Sequence, residues 1–226
     1  MNSTIVKVGG SLALHPKKLR ALCAKLNEVS NKHKLIVVPG GGEFADIVRR
    51  LDERFSLSSH VSHRLAILGM DQYGLLLSDL MPNSVTVRDF EEIKYFIDSD
   101  RLPVFLPSNL MLSEDQLENS WNVTSDSIAL YTAGRLQALK VLLVTDVDGV
   151  YKGDPKKDSD AKLINNLSVS GLLAMNKWTS VDAFLPKLLL KTHIDCFVVN
   201  GLFPERVEAV LDGRDVVCTL IKGSAS

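Results

Sequence analysis

Two segments of the chain place glycine, lysine and hydroxyl side chains at the ends of short apolar runs. Lys7 and the turn Gly9–Ser11 follow the apolar pair Ile5–Val6, and the segment Thr145–Tyr151 follows the apolar run Val141–Val144. Backbone N–H groups, ammonium groups and hydroxyls are donors that proteins use to hold phosphate. These strand ends therefore predict a phosphate-binding surface and favour phosphoryl transfer as the reaction.

A run of three glycines, Gly40–Gly42, separates the predicted strand Leu35–Val38 from a helix expected to begin near Glu43. Glycines at such a point let the backbone approach an anion, and the positive end of the following helix adds to the attraction. A left-handed connection without any ligand is the alternative. Neither this turn nor Gly9–Ser11 has the spacing of a P-loop or of a dinucleotide-binding fingerprint, so nucleotide binding by those two routes is disfavoured.

Lysine and aspartate side chains supply the remaining chemistry. Lys7 stands in an apolar strand, where a lysine needs a partner or a place at the sheet edge. Asp126 opens a predicted helix, although the triplet Thr124–Asp126 could simply cap that helix. Phosphoryl transfer needs cations and a group that holds them, and Asp126 between Lys7 and a second lysine would meet that need. Lys187 is the favoured second cation, and Lys191, one turn later, is the alternative.

Two further carboxylates, Asp146 and Asp148, follow the predicted strand Val141–Val144. At a strand end they could bind a metal ion, bind a ribose, or only accept hydrogen bonds from N–H groups of the turn. The sequence leaves these three alternatives open.

The composition is that of a globular protein. The 226 residues are 46% hydrophobic and 23% charged, which is ordinary for a globular domain. The formal net charge of −1 gives no field that would attract nucleic acid or an anionic membrane surface, so neither is expected as a partner. The cysteines Cys23, Cys196 and Cys218 are far apart and odd in number, which favours reduced thiols in a cytoplasmic protein over disulfides or a zinc site.

Apolar runs with strand-like and helix-like spacing alternate along the chain. The predicted strands are Ile5–Val8, Leu35–Val38, Ser84–Val87, Val104–Leu106, Val141–Val144, Ile194–Val199 and Val217–Ile221. The predicted helices are Leu19–Asn31, a segment from about Glu43 to Leu51, Val61–Leu80, Ser125–Leu136 and Lys187–Thr192. This alternation predicts an α/β fold with a largely parallel sheet between helices, in one large domain or two closely joined lobes. Lys152–Lys162 is the predicted mobile loop, and Asp89–Asp100 is a weaker candidate.

Several motifs, in matching order along nearly the whole chain, resemble those of the amino acid kinase superfamily, which includes acetylglutamate, uridylate, aspartate and isopentenyl phosphate kinases. The motifs are Lys7–Ser11, Gly40–Gly42, Thr124–Asp126, Thr145–Tyr151 with Asp154-Pro155 behind it, and Asn200-Gly201 with Leu211–Gly213 and Thr219. The segment Thr145–Tyr151 is the most specific of the set. The chain departs from many members upstream of Lys187, where Ser180–Asp182 stands in place of a Gly-Met pair.

The resemblance implies an open αβα sandwich with a mainly parallel central sheet, in a single domain whose residues 1–120 form an acceptor-side lobe and 121–226 a nucleotide-side lobe. It implies ATP and Mg²⁺ as cofactors. Lys7 and Lys187 would stabilise the developing negative charge, and Asp126 would position them. The implied nucleotide-binding residues are Gly9, Gly10, Ser11, Thr145, Asp146, Val150, Tyr151 and Asp154. The implied acceptor-side residues are Gly41, Gly42 and Thr124.

Two segments, Trp121–Asp126 and Ser180–Lys187, look closest to a branch of the superfamily whose reference activity is the kinase of methanofuran biosynthesis. That enzyme converts [5-(aminomethyl)furan-3-yl]methyl phosphate to its diphosphate. Uridylate kinase and isopentenyl phosphate kinase are the alternatives. The histidine that follows the glycine turn in isopentenyl phosphate kinases is missing here, and His60 and His63 fit surface or helix-boundary positions better. A non-catalytic nucleotide- or oxyanion-binding or storage protein on the same fold is the alternative of another class.

The resemblance to this branch implies a small phosphorylated acceptor with a ring and an ammonium group. The ring would stack on Trp121, and the ammonium would pair with Asp182, Glu43 or Asp46. A core tryptophan and solvated carboxylates are the alternatives. Related kinases are commonly homo-oligomers, so the predicted helix Val61–Leu80 is a candidate interface, and burial of its leucines within the subunit is the alternative.

Overall fold

A central sheet organises the molecule in the computed structural model, which describes residues 3–114, 117–153, 155, 158, 160–175 and 180–224. The strands are β1 (Ser3–Val8), β2 (Lys34–Pro39), β3 (Ser84–Val87), β4 (Leu102–Phe105), β5 (Lys140–Thr145), β6 (Val150–Tyr151), β7 (Leu163–Ile164), β8 (Asn166–Ser168), β9 (Asp195–Asn200) and β10 (Thr219–Lys222). Strands β6 and β7 pair with each other, and the other eight form one sheet in the order β3-β4-β2-β1-β5-β9-β10-β8. Neighbouring strands of this sheet are parallel except that β10 runs antiparallel to β9.

Helices cover both faces of the sheet. They are α1 (Pro16–Val29), α2 (Gly42–Phe55), α3 (Ser59–Asp79), α4 (Phe90–Asp98), α5 (Ser108–Glu114), α6 (Ser125–Leu136), α7 (Val169–Ala174), α8 (Leu185–Thr192) and α9 (Pro204–Leu211), and a short 3-10 helix spans Gly10–Leu14. The predicted class, an open αβα sandwich with a mainly parallel sheet, is confirmed. None of the described helices is both long enough and apolar enough to span a lipid bilayer.

Strand alternation decides which side chain of β1 meets which helix. Ile5 belongs to the apolar cluster that includes α6 and α8, whereas Val6 and Val8 belong to the cluster that includes α1 and α9. Successive side chains of a strand point to opposite faces of the sheet. Lys7 therefore lies on the same face as Ile5, which is the face covered by α6.

The predicted motifs meet at one edge of the sheet, where four parallel strands end. Val8 of β1 is aligned with Pro39 of β2 and with Val144 of β5, and Thr145 of β5 is aligned with Asn200 of β9. The glycine turns and carboxylates that follow these strands consequently lie side by side. In α/β proteins this carboxyl edge is where ligands bind.

One predicted loop is wrong, because most of Asp89–Asp100 forms helix α4. The Asp89 carboxylate accepts a hydrogen bond from the Glu92 N–H at 2.8 Å and so caps the helix. Ile93 and Ile97, one turn apart, are buried on its inner face. A capping aspartate before apolar residues four apart is a helix signal that the high charge of the segment concealed. Helices α5, α7 and α9 were not predicted either.

The cysteines are free thiols, as predicted. Cys23 and Cys196 are buried, and burial raises the pKa of both thiols, that of Cys23 to about 12. Burial also raises the pKa of Cys218, which is partly exposed. Thiols with raised pKa values carry little thiolate at neutral pH, so these residues serve packing rather than chemistry.

Candidate active site

Two glycine turns touch each other through their backbones at the carboxyl edge of the sheet. The Gly9 N–H donates to the end of β5 at 2.7 Å, and the Gly40 N–H donates to the end of β1 at 2.8 Å. A β-carbon at Gly10 would collide with the backbone of Gly42, and one at Gly40 would lie 2.6 Å from the Gly10 nitrogen. Gly42 has φ +54°, so a left-handed connection is one part of this turn. The glycines are thus required by the contact between the turns, and they leave a surface of backbone without side chains.

Substitution Gly10→Ala should destabilise the protein and remove most of its activity, because the added methyl group has no room beside Gly42. Overpacking of this kind typically costs about 1–3 kcal/mol. Thermal unfolding measures the first effect and steady-state turnover the second. Gly153→Ala is the control for stability, since a β-carbon there meets only ordinary contacts of 3.6 Å or more. An unchanged melting temperature for Gly10→Ala would mean that the two turns can separate freely.

A buried ion pair lies beneath the first glycine turn. The Lys7 Nζ is 2.6 Å from Asp126 Oδ1, and the two side chains are only 9% and 7% exposed. A β-carbon on Gly9 would stand 3.7 Å from the same ammonium, so the cation lies close under the turn. The interpretation of Lys7 as an edge-strand lysine is wrong, because β1 pairs with β2 on one side and β5 on the other. The two residues that were expected to act together are in contact.

Asp182 occupies a different place from the one predicted. Its N–H donates to Asp126 Oδ2 at 3.1 Å. Its carboxylate accepts hydrogen bonds from the chain on both oxygens, among them one from the Thr124 hydroxyl at 3.0 Å and one from the Leu185 N–H at 2.9 Å. The residue is 9% exposed. The structure thus corrects both sequence interpretations, since this carboxylate is neither solvated nor open to the ammonium of an acceptor.

Lys187 lies in the first turn of α8 and is exposed. Its Nζ is 5.1 Å from the centre of the Phe184 ring, within the range of a cation–π contact. Hydrogen bonds from Ser120 and Asn122, with a smaller contribution from the Lys187 ammonium, lower the pKa of Glu118. Within the described part of the chain no carboxylate forms an ion pair with Lys187. Its ammonium is therefore available to an incoming anion.

Lys191, the alternative second cation, faces other surroundings. It lines an open groove between α6 and α8 together with Tyr131 and Arg135. Phe184 is the one residue of the sequence motifs among the described residues that line this groove. The choice of Lys187 over Lys191 as the second cation stays a prediction.

The predicted nucleotide-binding segment is bonded to the first glycine turn. The Ser11 hydroxyl donates to Asp146 Oδ1 at 3.0 Å, and the Thr145 hydroxyl donates to the same oxygen at 3.3 Å. All three side chains are partly exposed. The ends of β1 and β5 thus present their hydroxyls and carboxylate on one continuous surface.

Asp148 is the centre of a second polar cluster on this side. Its Oδ1 accepts hydrogen bonds from the Asn200 amide at 2.9 Å and from the Arg206 guanidinium at 2.6 Å. Burial, followed by the Asp148 charge and a hydrogen bond to it, raises the pKa of Tyr151. These partners of Asp148 are side chains from outside the turn and not N–H groups of the turn, and its binding of a metal ion or of a ribose stays a prediction.

The remaining predicted nucleotide-binding residues are Val150 and Asp154. The Val150 side chain is completely buried in the core, and its N–H donates to the Thr219 hydroxyl at 2.7 Å, so we assign Val150 to the frame of the site instead. Asp154 lies outside the described residues, within the predicted loop Lys152–Lys162 between β6 and β7.

A cavity of about 300 Å³ opens beside the two glycine turns, between the starts of α2 and α6 and one face of α3. Its charged and polar lining consists of Ser11, Glu43, Asp46, Arg49, His63, Thr124 and Ser125, with the glycines Gly10, Gly41 and Gly42 on its floor and Trp121 in its wall. Four predicted acceptor residues are therefore brought together: Gly41, Gly42, Trp121 and Thr124. Glu43 and Asp46, which were proposed as alternatives to Asp182 for binding the ammonium, line the cavity too.

Trp121 is held in a fixed orientation at this cavity. Its indole N–H donates to Asp52 at 2.8 Å, and the Arg49 guanidinium carbon lies 4.5 Å from the centre of its ring. The side chain is only partly buried. The alternative of a core tryptophan is wrong, and the residue lines the cavity.

Two charged or titratable residues of the cavity, Arg49 and His63, were not predicted as part of the site. Arg49 follows Asp46 by three residues, as Asp46 follows Glu43, and residues three apart on a helix lie on one face. That spacing was the signal that could have placed Arg49 beside the two carboxylates. His63, expected at the surface, lines the cavity from α3, and no local pattern marks it.

A sequence model described as the amino acid kinase family matches residues 2–189. The chain belongs to the amino acid kinase family. One relative, the [5-(aminomethyl)furan-3-yl]methyl phosphate kinase of Methanocaldococcus jannaschii, is 37% identical over 220 residues, which are 97% of each chain. The isopentenyl phosphate kinase of Methanothermobacter thermautotrophicus is 24% identical over 97% of this chain and 98% of its own. The crystal structure of uridylate kinase from Archaeoglobus fulgidus has the same fold, with a TM-score of 0.77 and 23% identity over 97% of this chain and 99% of that one.

The structure explains the point at which this amino acid kinase departs from the Gly-Met pair of many family members. Asp182 stands in that segment, and its carboxylate fills the space between the starts of α6 and α8. In this chain the start of the helix that carries Lys187 is fixed by that carboxylate.

Proposed function

We propose that this amino acid kinase transfers the γ-phosphoryl group of ATP to [5-(aminomethyl)furan-3-yl]methyl phosphate and forms the diphosphate. The observation that carries the proposal is the cavity beside the Lys7–Asp126 pair. It joins a floor of glycines to an aromatic wall and two carboxylates. The relative from Methanocaldococcus jannaschii, at 37% identity, is a kinase named for this acceptor.

ATP would lie against the turn Gly9–Ser11 with its terminal phosphate above Lys7. The fit rests on two features: the close backbone packing at Gly10 keeps side chains away, and the buried ammonium of Lys7 supplies positive charge. Such preorganised donors stabilise the charge of a phosphoryl group in transit. Mg²⁺ would accompany the nucleotide, because its sites in phosphoryl-transfer enzymes combine one or two carboxylates with the phosphates of the substrate.

The acceptor would occupy the cavity with its phosphate at Gly41 and Gly42. Its furan ring would stack on Trp121, and its ammonium would lie near Glu43 or Asp46, both of which line the cavity. Isopentenyl phosphate and uridylate carry no positive charge that would pair with these carboxylates. The charge of the lining therefore favours the aminomethylfuran over both alternatives.

An acceptor screen tests the proposal. The purified protein is incubated with MgATP and the aminomethylfuran phosphate, uridylate or isopentenyl phosphate in turn, and mass spectrometry identifies the product. We expect the diphosphate of the aminomethylfuran to form with the highest kcat/KM. A higher kcat/KM for either other acceptor would refute the assigned substrate. No acceptor-dependent ADP with any of the three would favour the non-catalytic binding or storage protein.

Substitution Trp121→Ala should raise the KM for the acceptor about tenfold, equivalent to ~1.4 kcal/mol of lost stacking, and leave the KM for ATP unchanged. The reason is that Trp121 lines the cavity together with the proposed acceptor residues Gly41, Gly42 and Thr124, whereas of the proposed nucleotide-binding residues that the structure describes only Gly10 and Ser11 reach it. Trp121→Phe, which keeps a stacking surface, is the matched control and should bind the acceptor with near-normal KM. Equal losses for both substrates would assign the tryptophan a structural role.

We propose that the protein is a homo-oligomer. Three leucines of α3 are exposed: Leu68, Leu75 and Leu76. Phe55 at the end of α2, next to α3 in the chain, is 63% exposed. Large apolar side chains grouped on one surface favour burial against a second copy, and light scattering of the purified protein determines its mass in solution.

A further inference from the structure

The Asp182 carboxylate lies where the starts of α6 and α8 meet. One oxygen, Oδ2, accepts hydrogen bonds from the Thr124 N–H at 2.9 Å, the Thr124 hydroxyl at 3.0 Å and the Ser127 N–H at 2.9 Å. The other, Oδ1, accepts from the Ser127 hydroxyl at 2.6 Å, the Phe184 N–H at 3.2 Å and the Leu185 N–H at 2.9 Å. Each donor belongs to the first turn of one of the two helices or to the residue before it.

Neither helix is capped by its own preceding side chain. Thr124 precedes α6 and Phe184 precedes α8, and neither side chain accepts a hydrogen bond from its helix. The first N–H groups of a helix need an acceptor outside the helix, and Asp182 supplies one for both. Burial, with the neighbouring Asp126 charge, raises the pKa of Asp182.

The same residue connects the elements that carry the two proposed cations. Its N–H donates to Asp126 Oδ2 at 3.1 Å, and the other oxygen of Asp126 lies 2.6 Å from the Lys7 ammonium. Its carboxylate fixes the start of α8, in which Lys187 is the third residue. Asp182 therefore connects Lys7, through Asp126, to the helix that carries Lys187.

We propose that Asp182 is a positioning residue that sets the separation of Lys7 and Lys187 for phosphoryl transfer. This inference rests on the proposed kinase activity and deepens it. Asp182 acts through Asp126 and through α8, because its oxygens are bonded to the chain and it is 9% exposed. A displacement of about 1 Å between groups that act together can cost about 100-fold in rate. The residue should therefore govern kcat and not substrate affinity.

Substitution Asp182→Asn tests this role with little change in volume. The amide of asparagine has one acceptor oxygen, and an NH₂ group stands in place of the other oxygen. Either the Thr124–Ser127 donors or the Phe184–Leu185 donors therefore face an N–H group instead of an acceptor. We expect kcat to fall about 100-fold while the KM values for ATP and for the acceptor stay within about threefold of wild type. Steady-state kinetics with both substrates measures the two effects separately.

The matched control removes a capping carboxylate far from the site. Asp89 caps α4 through the Glu92 N–H at 2.8 Å, and Asp89→Ala should lower the melting temperature and leave kcat within about twofold of wild type. A kcat of Asp182→Asn within threefold of wild type would overturn the proposal. A rise in the acceptor KM as large as the fall in kcat would also overturn it, because Asp182 would then act on acceptor binding, directly or through Thr124.

Ser127→Ala keeps the inference testable should Asp182→Asn not fold. It removes one hydrogen bond to Asp182 Oδ1 and leaves the carboxylate in place, so kcat should fall by a smaller factor with both KM values unchanged. Unchanged kcat in this variant would overturn the proposal. Wild-type turnover in the same assay distinguishes a failure of the proposed kinase activity from a failure of the proposed role of Asp182. An inactive wild type refutes the kinase activity itself, whereas an active wild type with unaffected variants refutes only the role of Asp182.

Discussion

Replacing Lys7 with methionine should lower kcat by about 10³-fold or more. The ammonium of Lys7 lies under the first glycine turn and has Asp126 as its counter-ion, so it is fixed before any substrate binds. A cation held in this way needs no reorganisation when negative charge develops on the transferred group. Methionine keeps most of the length and apolar character of the side chain and removes only the charge. Single-turnover kinetics at saturating substrate measures the loss.

The double variant Lys7→Met/Asp126→Asn separates catalysis from folding. Lys7→Met alone leaves the Asp126 carboxylate buried without a partner for Oδ1 among the described residues, and breaking a buried pair costs about 3–5 kcal/mol. Neutralising Asp126 as well should restore much of that stability in chemical denaturation. Activity should stay as low as in the single variant. Recovery of turnover together with stability would contradict a catalytic role for the ammonium.

Substitution Lys187→Ala should lower kcat by about 10²–10³-fold without lowering the melting temperature. The side chain is exposed and forms no ion pair with a described residue, so little folding energy depends on it. Its charge should matter only when the phosphoryl group is in transit. Turnover and thermal unfolding of the same preparation measure both effects.

Lys191→Ala is the matched control, since it removes the same charge one turn further along α8. That lysine lines the groove with Tyr131 and Arg135, and its loss should leave kcat within about twofold of wild type. If Lys191→Ala loses activity and Lys187→Ala keeps it, the second cation has been assigned to the wrong residue.

The contact between Lys7 and Asp126 could be predicted because short-range rules place both residues. Strand alternation directs Lys7 to the face of Ile5, and a helix that begins at the carboxyl edge brings Asp126 to the same place. Parallel strands then align the turns that follow them. Each of these steps depends on a local pattern in the chain, and the superfamily resemblance agreed with all of them.

The environment of Asp182 could not be predicted, because its partners are distant in the chain. Thr124 and Ser127 precede it by 58 and 55 residues. A single aspartate in a connecting segment has the same local pattern whether it is solvated or buried between two helices. Only the packing of α8 against α6 distinguishes the two cases. The position of His63 in the acceptor cavity depends in the same way on the packing of α3.

The backbone contact between Gly10 and Gly42 has a consequence for altering the range of substrates. The phosphates of donor and acceptor would both lie on the backbone of the two glycine turns, where no side chain can change the dimensions of the surface. Directed evolution toward larger or differently charged acceptors should therefore succeed at Glu43, Asp46 and Arg49, on the rim, and fail at the glycines. The chemistry of transfer and the choice of acceptor can then change independently in this scaffold.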